Sequence, residues 1–135
     1  MLSKNNYSQN YINACRAKVE QQIIAYDNLI GMISKNPALE AFEPVFFNNM
    51  VLALENYFMH RAVEQKDWNA LNEVRLLSNS LLLNDGVLTC DDTLSYKPEK
   101  AVLGYPPGAA IKLKKKEFLV LADAFFSQLE TKFAA

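Results

Sequence analysis

Four stretches of this chain repeat apolar residues at three- and four-residue steps, the spacing of a helix that hides one face. The first covers 8–34, where Ile12, Cys15, Val19, Ile23, Tyr26, Ile30 and Ile33 share a side. Asn36-Pro37 ends it, because a residue before proline avoids helical geometry. Asn36 is also placed to cap a short turn that starts at Pro37.

The second stretch is the unusual one. After a helical turn over 38–43, Pro44 suits the first position of a helix over 44–64. Phe46, Phe47, Met50, Val51, Leu54, Tyr57, Phe58 and Ala62 form a wide apolar face. Val45, Leu52, Met59 and Val63 form another on the opposite side. Asn48 with Glu55, and Asn49 with Asn56 and His60, make the narrow polar stripes between them. A helix apolar on most sides is central or faces a partner, so this one is expected to be hidden around most of its circumference. The cover is either a second molecule or the 87–113 segment.

The third helix is expected over 69–83, capped by Asp67 or Asn69, with Ala70, Leu71, Val74, Leu77, Leu81 and Leu82 inside and Leu76 and Leu83 behind. The fourth covers 115–133, with Phe118, Leu121, Ala122, Phe125, Phe126, Leu129 and Phe133 inside. Lys114, Lys115 and Lys116 stand at its start, where the helix dipole disfavours positive charge. Asn84-Asp85-Gly86 breaks the chain after the third helix. The two arms of AVLGYPPGAAIKL, 101–113, flank a Pro-Pro-Gly turn and predict a small β-hairpin. The expected fold is mainly α: a single domain over 1–135, four helices packed antiparallel as a bundle, with the hairpin between the third and fourth.

Charge narrows the function. Fourteen basic residues face 15 acidic ones, a net charge of -1, so the chain lacks the basic excess of a nucleic-acid binder. The one basic run, Lys112 with Lys114, Lys115 and Lys116, reads first as a solvated strand end leading into the last helix, and second as a phosphate or acidic-lipid contact. The densest apolar stretch, 45–59, is broken by Asn48, Asn49, Glu55 and Asn56, which argues against a membrane span. The first 18 residues lack the apolar core of a signal peptide, so the expected setting is cytoplasmic. Two cysteines, Cys15 and Cys90, make neither a disulfide framework nor a zinc site, and no cofactor is implied. Cys15 reads as a small buried hydrophobe.

Candidate chemistry centres on His60, the one histidine. On a helix its neighbour is Asn56, four residues earlier, while Glu55 points about 140° away. A metal held by His60 with Glu55 or Glu73 would lack further ligands. Asp91-Asp92 beside Cys90 disfavours a reactive thiolate, and no glycine-rich phosphate loop is present. Arg61 falls on the wide apolar face, where a charge needs a partner. Glu73, early in the next helix, is the expected one, as an interhelical ion pair. The functional counterpart of that corner is a polar pocket of His60, Arg61, Asn72 and Glu73 for a small anion.

The stretches FEPVFFNNMVLALENYFMHR (42–61), LNEVRLL (71–77) and FLVLADAFFSQLETKF (118–133) resemble a family of small, mainly helical bacterial proteins of uncharacterised activity. The resemblance covers about half the chain. It implies a bacterial cytoplasmic setting and supplies no activity and no site. Two functions follow as expectations. The first is a non-enzymatic interaction protein that self-associates as a homodimer through helix surfaces. The alternative is a small-molecule-binding protein or enzyme using the His60, Arg61 and Glu73 corner.

Overall fold

The computed structural model describes residues 6–62, 68–90 and 95–134. Val63, the 63–64 end expected for the second helix, and Asp67 as a cap lie outside them. Four helices are present among the described residues: α1 (Gln9–Gly31), α2 (Pro37–Tyr57), α3 (Ala70–Leu83) and α4 (Lys115–Phe133). Each of the first three starts on a side-chain cap. The hydroxyl of Ser8 accepts from Tyr11 N, Asn36 Oδ1 from Leu39 N, and Asn69 Oδ1 from Asn72 N.

Contacts along the helices fix their directions. Tyr26 stacks on Phe46 while Tyr11 meets Phe58, so α1 and α2 are antiparallel. Arg75 reaches Glu55 and Arg61 reaches the Leu71 carbonyl, so α3 runs against α2. Gln128 Oε1 accepts from Ala70 N at 2.8 Å, so α4 runs against α3. Phe47 meets Phe118, and Phe58 meets Phe125, so α2 and α4 share a direction. These two pack together and both touch α1 and α3, whereas α1 and α3 are not in contact among the described residues. The core therefore lies along the α2–α4 pair, with Phe47, Leu54, Phe58, Phe118, Phe125 and Phe126 at its centre. A fully buried side chain of this size contributes roughly 1.5–3 kcal/mol.

The second helix differs from its expected span at both ends. It begins at Pro37, because Asn36 caps it and proline at the first position gives up no helical bond. Pro44 lies inside it, at the loss of a single bond to the Glu40 carbonyl. It ends at Tyr57, since Phe58 leaves helical geometry (φ -130°, ψ 33°) to insert its ring between Tyr7, Phe125 and Phe126.

The expected hairpin is absent: no strand forms among the described residues, and the bridges Tyr7–Ala134 and Val87–Ala110 are isolated. The two arms pair elsewhere. Val102 N and Leu103 N donate to Glu73, and Asn48 takes both Leu113 N and, through its amide, the Ile111 carbonyl. Residues 108–111 instead bond the 86–88 turn, with Ile111 N to Gly86 O at 2.8 Å and Gly108 N to Leu88 O at 2.9 Å. Gly104 turns the chain between the arms at φ 69°, and a Cβ there would come within 3.3 Å of the Pro98 carbonyl.

The start of α4 is better balanced than its lysines suggest. Glu117 accepts from Lys114 N, Glu43 accepts from Lys115 N, and Asp27 holds Lys115 Nζ at 2.9 Å. Three carboxylates thus gather where the helix is positive. No described helix is long and apolar enough to cross a membrane.

Candidate functional site at the end of the second helix

The turn after α2 sorts the four expected site residues into separate places. His60 is exposed and lines an open cleft of about 620 Å³ together with Asn6, Tyr7, Tyr11, Asn56 and Tyr57. Tyr11 donates its hydroxyl to the Tyr57 carbonyl at 2.7 Å. Burial pushes the Tyr11 phenol up to about 12, so it stays a donor. Asn56 lines the same cleft, although α2 ends at Tyr57 and His60 stands in the turn beyond it.

Arg61 turns the other way, into the protein, with 2 % of its side chain exposed. It donates to Glu55 Oε1 at 2.7 Å, to the Phe58 carbonyl at 3.0 Å and to the Leu71 carbonyl at 2.6 Å. Its guanidinium also lies 5.4 Å from the centre of the Phe125 ring. Arg75 joins it, donating to Glu55 Oε2 at 3.0 Å and to the Met59 carbonyl at 3.2 Å. Two cations thus meet the carbonyl end of α2, where the helix dipole is negative. Burial lowers the Arg61 pKa, and the adjacent Glu55 opposes that shift.

The partner of Arg61 is therefore Glu55 and not Glu73. Glu73 is buried on the far side of α3, where Oε1 accepts from Val102 N at 2.7 Å and Oε2 from Leu103 N at 2.9 Å. Burial raises its pKa, and the two backbone donors hold it down in part. The buried Trp68 indole N–H faces the same carboxylate without reaching full hydrogen-bond geometry. Asn72 is buried in the first turn of α3. Of the four residues, His60 alone is among those lining the cleft.

Comparison with family models, curated proteins and solved structures finds no match.

A second surface lies on the same helix. Val45 is 56 % exposed and Met59 51 %, so the 87–113 segment does not cover this stripe, and α2 is less hidden than its composition suggests. That segment covers the neighbouring stripe, through Asn48. Ala38, Phe42, Val45, Asn49, Leu52 and Asn56 lie within about 80° of one another at 100° per residue. All are exposed except Leu52, which is half-buried. Their steps of three and four residues repeat every seven, as in a helix that pairs with another helix. On α3 the expectation for the outer leucines divides: Leu76 is buried, whereas Leu83 is 84 % exposed.

Lys115 is tied to Asp27, while Lys112, Lys114 and Lys116 are exposed. Cys15 is buried, as its place on the α1 face predicts, and Cys90 is exposed. No group of three or more His, Cys, Asp or Glu side chains placed to hold a metal occurs among the described residues.

Proposed function

We propose that this chain is a small cytoplasmic interaction protein that self-associates through the outward face of α2. The observation that carries the reading is the seam from Ala38 to Asn56, an apolar stripe left open by a helix whose other sides are packed. Helices that need no partner carry charge on their outer face. This one carries Phe42, Val45 and Leu52 there, interrupted by two uncharged amides. Light scattering over a micromolar concentration series tests the reading. The mass rises toward that of a dimer for the unaltered chain and stays at one subunit for Leu52→Glu. A monomer throughout, up to high micromolar protein, removes it.

A second reading is a small-molecule site in the cleft beside His60. Its support is the size of the cleft, which falls in the range that small ligands occupy, and the histidine, asparagine and tyrosines around it. Arg61 and Glu73 take no part in it, since both are engaged in other contacts. Thermal-shift screening of the unaltered chain and His60→Ala tests this reading. A ligand whose stabilisation is lost in His60→Ala supports it, and equal shifts in both proteins remove it.

A further inference from the structure

We infer that the partner on the α2 seam is a second copy of this chain, lying parallel and in register, with Asn49 facing Asn49 and Asn56 facing Asn56 across a two-fold axis. This rests on the self-association proposed above and specifies its geometry. In the seven-residue repeat, Phe42, Asn49 and Asn56 occupy one set of seam positions and Ala38, Val45 and Leu52 the other. In a parallel pair, each position meets its own counterpart. In an antiparallel pair, the two sets meet each other.

The asparagines decide between these arrangements. A carboxamide carries both donor and acceptor, so two of them satisfy one another when they meet across a dyad. The antiparallel arrangement sets Asn49 and Asn56 against the Val45 and Leu52 class instead. An amide buried there without a partner costs free energy that the parallel arrangement avoids. A shift by one heptad leaves one asparagine facing Phe42 or the helix end, so two amide layers also fix the register. A different protein on this seam would have to present matching amides seven residues apart. A second copy presents them by symmetry. The seam spans α2 from its first turn to its last, 21 residues or about 31 Å of helix.

Variants with one introduced cysteine, Ala38→Cys, Val45→Cys and Leu52→Cys, each with the exposed Cys90 changed to serine and the buried Cys15 retained, test the arrangement by oxidative cross-linking. Leu83→Cys, exposed and off the seam, is the collisional control. All three seam variants are expected to form disulfide dimers at least about tenfold faster than the control, because pairing raises the effective thiol concentration. Circular dichroism verifies that each variant is folded. If only one or two of the three link rapidly, the copies do not lie parallel and in register, and the inference falls while self-association stands. If none outpaces the control although light scattering gives a dimer, the helices pair antiparallel or the interface is another surface, and the inference falls. If none outpaces the control and scattering gives a monomer, both readings fall.

Discussion

Arg61 and Glu55 meet at 2.7 Å although six residues separate them, a spacing that would hold them about 120° apart on a continuous helix. The contact exists because α2 stops at Tyr57 and the chain folds back, bringing the guanidinium onto the last carboxylate of the helix it has just left. Glu55 holds Arg75 as well, so one carboxylate ties the end of α2 to the turn and to α3. Glu55→Ala leaves Arg61 buried without its counter-charge and is expected to cost about 3–5 kcal/mol in urea unfolding. A loss below about 1 kcal/mol, the size of an exposed pair, contradicts the role assigned to it.

Phe58 is the other half of that turn. Its ring sits 4.9 Å from Tyr7, 5.9 Å from Phe125 and 6.2 Å from Phe126, with no exposed surface. Phe58→Ala is expected to lower stability by about 3–5 kcal/mol, measured by chemical denaturation. A variant as stable as the parent would mean that the site is not packed as described.

Glu73 gives a pH signature. Its folded pKa is raised above the ordinary 4.5 by burial, which the Leu103 and Val102 amides offset only in part. A carboxyl with a raised folded pKa supports the fold while protonated, and that support declines as pH climbs from the ordinary value through the raised one. The stability of the unaltered chain minus that of Glu73→Gln should therefore fall as pH rises from the ordinary 4.5 through the raised folded value. A difference that is flat or rises over this window contradicts the assignment.

Asn48 anchors the 109–113 segment from α2, bonding Ile111 O at 2.8 Å and Leu113 N at 3.1 Å. Asn48→Ala removes both partners and is expected to cost about 1–3 kcal/mol. Amide hydrogen exchange at Leu113 should accelerate beyond the global change. Unchanged protection of that amide would show that another group holds the segment.

The fold was most legible where periodicity alone decides it. The seven inward positions of α4 are all buried, and the 69–83 helix matches its expected span to within one residue. Asn36, Pro37 and Pro44 were each legible as helix signals. Which proline opened α2 depended on Asn36 holding the Leu39 amide, a contact that periodicity does not reveal. The hairpin failed for a related reason. The arms over 101–113 have strand-like composition, yet their donors and acceptors go to Glu73, Asn48 and the 86–88 turn, all distant in sequence. The candidate site suffered most. His60 and Asn56 line one cleft although His60 lies beyond the end of α2, and Arg61 and Glu73 take different partners because of that helix end, which no local signal marks.

The most direct test of the α2 seam is an NMR dilution series on the unaltered chain, following backbone and asparagine side-chain amides from micromolar to millimolar protein. Concentration-dependent shifts are expected at Phe42, Val45, Asn49, Leu52 and Asn56, with the outer faces of α1 and α4 unmoved. Spectra that do not change on dilution, or changes centred away from α2, would contradict pairing through the seam.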